Sequence, residues 1–163
     1  MPDTVATPRL VEVRRTIHAP RQRVFDAWTK AEEIKAWHAP GPMTVSRADI
    51  DLRPGGAYRI HMVAPTGEEH RVVGTYREVD PPRRLVHTMR ALWGEDVKSE
   101  GYSRVTWEIE PVGDSCRLVL THDQLREGAN DQLYGGWPMI LSGLKTWLET
   151  GQLLTTPGSM MYA

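Results

Sequence analysis

The sequence predicts an α+β fold in which one antiparallel sheet is covered on a single side by a long C-terminal helix. Two observations carry that prediction. The stretch GGWPMILSGLKTWLETG, Gly135 to Gly151, places Trp137, Ile140, Leu141, Leu144 and Leu148 at helical spacing. Ser142, Lys145, Thr146 and Glu149 fall on the opposite side, so one face is made to be buried. Between Val11 and His122, by contrast, the dominant pattern is alternation. Val105, Trp107 and Ile109 alternate with Thr106, Glu108 and Glu110, and Leu118, Leu120 and His122 alternate with Arg117, Val119 and Thr121. Strict alternation gives each strand one buried and one wetted face, as in an antiparallel sheet covered on one side. A run of strands closed by one terminal helix is the α+β arrangement.

Taken in order, Met1 to Pro8 reads as a flexible leader and Arg9 to His18 as a first strand, with Val13 and Ile17 on one face. Ala19-Pro20 opens a short helix with the stripe Val24, Phe25 and Trp28, since proline suits a first helical turn. Thr29 is expected to cap a second short helix, with Glu32 at capping-box spacing and Ala31, Ile34 and Trp37 facing inward. The run His38-Ala39-Pro40-Gly41-Pro42 ends it. Strands are then expected over Met43–Leu52, Ala57–Val63, His70–Val79 and Arg84–Arg90, separated by turns at Arg53–Gly56, Ala64–Glu68 and Asp80–Pro82. Tyr58, Ile60 and Met62 share one face; Leu85, His87 and Met89 share another, although Val86 and Thr88 serve almost equally well as an inner face. Gly74 lies inside a strand, where a bulge or a close backbone approach is expected. Tyr76 and Glu78 share parity with Gly74, Val73 and Val79 argue for the other parity, and the pattern leaves both faces open. The final helix should begin near Gly136, with Pro138 in its first turn and a separate turn around Leu133, and it should stop at Gly151 in a left-handed conformation.

At 163 residues, 40% hydrophobic and 25% charged, the chain reads as one globular domain over residues 9–151, with residues 1–8 and 152–163 as flexible termini. A net charge of -1 gives no overall attraction to nucleic acid or to an anionic membrane. The single Cys116 excludes an intrachain disulfide and is expected to face away from the core, and no stretch is apolar enough to span a membrane. MPDTVATPRL lacks a signal-like apolar core, so a cytoplasmic protein, monomer or homodimer, is expected. The six histidines never fall at metal-ligand spacing, phosphate-loop glycine patterns are absent, and no serine sits in a nucleophile elbow. No metal or cofactor is therefore expected.

The order strand, two helices, six strands, long helix resembles the helix-grip fold of the START-like superfamily. Within it the chain resembles the domain family named for the activator of the heat-shock protein 90 ATPase. The resemblance rests on VFDAWT (Val24 to Thr29), the Trp37 segment ending at Pro40, and LRPGGAYR (Leu52 to Arg59). It continues through GTYREVDPPRRLVHT (Gly74 to Thr88), VTWEIEP (Val105 to Pro111), RLVLTH (Arg117 to His122) and the Gly135–Gly151 stretch. It implies a curved antiparallel sheet of about seven strands wrapped around the C-terminal helix, with two short helices after the first strand.

Such domains often leave a cavity between sheet and helix, and superfamily members bind lipids, sterols, polyketides or plant hormones. The resemblance thus implies a small hydrophobic ligand held by Tyr58, Ile60, Met62, His87, Met89, Trp107, His122, Trp137, Ile140, Leu141 and Leu144. Mostly apolar walls with a few polar tips are the usual make-up of such a site, and the same residues would also make a solid core. Six tryptophans and five tyrosines against one phenylalanine suit a half-polar wall. Two alternatives stand beside this reading. One is a chaperone partner in the stress response acting through its surface, although the eukaryotic activators engage the chaperone with a separate N-terminal domain for which this chain has no room. The other is a cyclase or hydrolase using His122 with Glu78 or Tyr58 as acid and base.

Overall fold

The chain is described here by a computed structural model covering residues 10–37, 44–92, 101–124 and 137–153. Seven strands form one antiparallel sheet: β1 (Val11–Ile17), β2 (Thr44–Ile50), β3 (Ala57–Val63), β4 (Glu69–Asp80), β5 (Arg84–Leu92), β6 (Ser103–Val112) and β7 (Ser115–Asp123). Their order across the sheet is β1-β7-β6-β5-β4-β3-β2. Each strand from β2 to β7 therefore lies beside its neighbour in sequence, and β1 closes the far edge against β7. Three helices stand among the described residues: α1 (Arg21–Thr29), α2 (Ala31–Trp37) and α3 (Trp137–Thr150). The α+β class, the curved sheet and the C-terminal helix agree with the helix-grip expectation.

The faces follow the alternation. Val105, Trp107 and Ile109 on β6 and Leu118, Leu120 and His122 on β7 are all buried, as are Tyr58, Ile60 and Met62 on β3. α3 contributes Trp137, Leu141 and Leu144, and the α1–α2 pair contributes Val24, Phe25, Trp28, Ile34 and Trp37. Hairpin turns supply the reversals. Val112 pairs with Ser115 across Gly113-Asp114, and Gly113 takes the left-handed φ of 58° that a tight turn of this kind needs. Gly151 ends α3 in the same region, φ 72°, with its N–H donated to the Trp147 carbonyl.

Two sequence expectations need correction. Thr29 is the last residue of α1, not the cap of α2. It is buried, its hydroxyl donates back to the Phe25 carbonyl at 2.7 Å, and the extended Lys30 takes the cap position instead, its carbonyl accepting the Ile34 N–H. Cys116 is fully buried, because it shares parity with Leu118 and Leu120 and so lies on the inner face, opposite Ile17. The polar side of α3 makes contacts of its own. Lys145 donates to the Thr16 carbonyl and to Glu149, both at 2.6 Å, and Glu149 accepts the His18 N–H at 2.9 Å. Arg15, on the inner face of β1, reaches the Pro138 carbonyl and Ser142. The polar residues of the helix thus tie it to β1 while its apolar residues face the core.

The parity conflict in β4 has a physical cause. Tyr76 pairs with His87 and Glu78 with Val86, so one extra residue enters β4 between them, a β-bulge at Arg77. Before the bulge Val72, Gly74 and Tyr76 face inward; after it Val79 packs on the core and Glu78 turns to Arg84, 3.0 Å away. His38 to Met43, Leu133 and Gly135-Gly136 lie outside the described residues, and α3 begins at Trp137 with Pro138 in its first turn.

Candidate functional site

The interior polar groups gather where α3 crosses the sheet. Trp137, the first residue of α3, turns its ring edge-on to His122 at 5.9 Å between centroids and to Trp107 at 5.8 Å. Trp28 of α1 lies against Trp107 at 4.1 Å and near Trp37 at 5.3 Å, so four indoles share one region. Tyr58 meets His87 edge-on at 4.9 Å, with Tyr76 behind it at 5.6 Å. Edge-to-face and tilted arrangements set the positive rim of one ring against the negative face of another, which adds to the apolar burial.

Hydrogen bonds assign the histidine tautomers. An indole N–H can only donate, so the ring nitrogen it meets must be unprotonated. Trp107 donates to His87 Nε2 at 3.0 Å, which leaves the proton on Nδ1; that nitrogen donates to the Thr88 carbonyl at 3.0 Å. Trp137 donates to His122 Nδ1 at 2.9 Å, which leaves the proton on Nε2. Nε2 then donates to Ser103 Oγ at 2.5 Å, and the serine hydroxyl passes to the Met89 carbonyl at 3.3 Å. The chain of donors from α3 to β5 runs in one direction.

Burial is what keeps both rings neutral. Loss of water around His87 pushes its pKa down to about 4, against a smaller upward pull from the Thr88 carbonyl. The same loss of water, reinforced by nearby His87, pushes His122 to about 3, partly opposed by Asp123. Desolvation likewise raises the Tyr58 hydroxyl well above its ordinary value, with Tyr76 and Tyr102 adding to it. That hydroxyl donates to the Thr88 carbonyl at 2.8 Å, sharing the acceptor with His87.

The expected site residues divide accordingly. Tyr58, His87, Trp107, His122 and Trp137 form the polar-tipped aromatic band; Ile60, Met62, Leu141 and Leu144 are buried in the same core, and Met89 and Ile140 are half-buried at its border. The acid–base pairing of His122 with Glu78 has no support. Glu78 faces Arg84 and Arg83 near solvent, and His122 presents a donor, not a base, to Ser103. Sequence reasoning left Trp28, Tyr76 and Ser103 out of the site, although the inward parity of Ser103 with Val105 was there to be read. Among the described residues no group of His, Cys, Asp and Glu could hold a metal ion.

A seven-stranded antiparallel sheet with this order and a C-terminal helix against its inner face defines a START-like domain. The profile of the family described as Activator of Hsp90 ATPase homolog 1-like protein matches residues 18–149, and the chain belongs to that family. A solved Chromobacterium violaceum structure is 25% identical, covering 87% of this chain and 99% of its own, with a TM-score of 0.75. A Rhodobacter sphaeroides structure, 19% identical over 91% of this chain and 97% of its own, has a TM-score of 0.76. An AHSA1-like protein from Aeromonas hydrophila, 23% identical over 86% of this chain and 94% of its own, has a TM-score of 0.69. Among curated proteins none matches.

Proposed function

We propose that this domain, acting in the cytoplasm, binds a small hydrophobic molecule between the sheet and α3, against Trp107, His122 and Trp137. The observation that carries the reading is the pair of indole–imidazole hydrogen bonds inside the apolar interior, Trp107 to His87 and Trp137 to His122. A core built only for stability gains little from them. A hydrogen bond contributes a net ~1 kcal/mol, and apolar groups of the same shape in both positions would do as well. A site that exchanges partners does gain, because a ligand acceptor can take the Trp137 N–H and a ligand donor can take His122 Nδ1. Membership of a START-like family supports the same reading by analogy.

Met89 and Ile140, half-buried beside this band, are the natural border of the site. Most of the affinity would derive from apolar burial, on the order of 25 cal/mol per Å², with the indole and imidazole tips orienting the guest. The test is saturable uptake of a neutral fluorescent lipophile, N-phenyl-1-naphthylamine, followed by its displacement with a panel of uncharged lipids and terpenoids. Uptake should be lost in Ile140→Trp, which fills the stripe one turn from Trp137, while the thermal transition persists. Failure of every neutral lipophile to bind the wild-type protein would overturn the reading.

A further inference from the structure

The outer face of the sheet, on the side away from α3, carries a groove of about 620 Å³ across β3, β4 and β5. Its depth follows from side-chain size. Ala57, Gly74, Thr75 and Thr88 make a low floor, while Arg59, Arg71, Arg77 and Tyr102 stand around it. Among the described residues no carboxylate lines it. Arg71 and His61 are both engaged by Glu69, at 2.7 and 3.3 Å. Among the described residues Arg59 and Arg77 have no ion-pair partner.

Register places those two cations around one point. Ala57 pairs with Thr75 and Arg59 with Val73, so Arg59 is the diagonal neighbour of Thr75, and Arg77 lies two residues along β4. By sheet spacing each stands roughly 7 Å from Thr75, within reach of an extended guanidinium. The Thr75 hydroxyl is on the floor between them, 3.2 Å from that of Thr88, which in turn accepts the Thr75 N–H at 2.9 Å. Beyond this polar spot the groove wall turns apolar, with Val73, Leu92 and the exposed ring of Tyr102.

We propose that this groove binds an amphipathic organic anion, with its carboxylate or phosphate over Thr75 between Arg59 and Arg77 and its apolar body along Val73, Leu92 and Tyr102. Guanidinium pairs with such oxyanions through charge-assisted hydrogen bonds, and the neighbouring apolar wall favours an anion with a hydrocarbon or aromatic body over an inorganic one. The site is separate from the interior one, since its charged residues point to the other side of the sheet.

The experiment titrates the full-length protein with 2-naphthyl phosphate, 2-naphthaleneacetate and the uncharged 2-naphthaleneethanol, by calorimetry and by amide shifts. Both anions, or one of them, should bind with shifts centred on β3 and β4, and the tighter of the two identifies the head group. Arg59→Gln with Arg77→Gln together should weaken binding about tenfold, and 0.5 M salt should act in the same direction. Both substitutions are on exposed side chains, so an unchanged thermal transition checks the fold. Trp137→Phe, on the interior, should leave anion affinity as it is. Equal affinity for the alcohol, or unchanged anion affinity in the double variant, would overturn the proposal.

Discussion

The indole N–H of Trp137 and Nδ1 of His122 lie 2.9 Å apart, joining the first residue of α3 to the inner face of β7. Because the indole only donates, this one contact sets the His122 tautomer, and the Trp107 contact sets the opposite tautomer on His87. Nitrogen-15 spectra of the imidazoles should therefore show one ring protonated at Nε2 and the other at Nδ1. Trp137→Phe should leave His122 Nδ1 buried without its donor, costing about 1–3 kcal/mol in denaturant unfolding, and should release the tautomer preference of His122 alone. Loss of preference in both rings would contradict the assignment of separate donors.

Acid should unfold this protein through the same two side chains. His87 and His122 titrate at about 4 and about 3 in the folded chain, below the ordinary histidine value of about 6.5. Between those values the unfolded state holds more protons than the folded one, so stability rises with pH. The full contribution is present above about pH 6.5 and is lost as pH falls toward the folded values. From pH 7 to pH 5 each histidine should remove about 2 kcal/mol. Urea midpoints at stepped pH check this, and a stable neutral replacement of either ring should roughly halve the slope.

Gly74 and Gly143 should respond to alanine in opposite directions. A Cβ at Gly74 would run into the Thr88 carbonyl and the Tyr58 ring, because the tyrosine passes over that position to donate to the same carbonyl. Gly74→Ala should cost about 1–3 kcal/mol by overpacking and weaken the Tyr58 bond. At Gly143, inside α3, the nearest atom is the Trp37 carbonyl oxygen at 4.0 Å. There alanine should stabilise by up to about 1 kcal/mol, since a helical glycine carries excess chain entropy. Thermal denaturation of the two variants side by side tests the contrast.

The fold was legible because one periodicity governs each element over enough residues: period two in β3, β6 and β7, and the helical stripe in α3. What escaped the pattern was local. A single extra residue at Arg77 reverses the face of β4, so Tyr76 and Glu78, which share parity in the sequence, point to opposite sides. Thr29 carried the spacing of a cap, but it closes α1 and Lys30 precedes α2 in its place. The inner aromatic residues could be placed by alternation, whereas the pairing of each indole with a particular imidazole depends on how three elements meet. The groove on the outer face was invisible for a related reason: Arg59 and Arg77 belong to different strands, and only the register brings Thr75 between them.

Trp147 separates the contributions of core and ligand. Its ring packs against the buried cluster, and its Nε1 is buried with no acceptor among the described residues. An unsatisfied buried donor weakens the fold by about 1–3 kcal/mol, so Trp147→Phe removes that penalty along with part of the ring's apolar contact. The two effects oppose each other, and the unfolding free energy should shift by less than about 1 kcal/mol, well short of the loss at Trp137. Ligand affinity should not change, because Trp147 lies about 15 Å along α3 from Trp137, beyond Ile140 at the border of the proposed site. 2-Decanone and decane, measured by displacement of N-phenyl-1-naphthylamine, should both keep their affinities in Trp147→Phe. A loss for the ketone alone would put the Trp147 N–H in the site, and a large destabilisation without ligand would mean that this N–H has a partner in the folded chain.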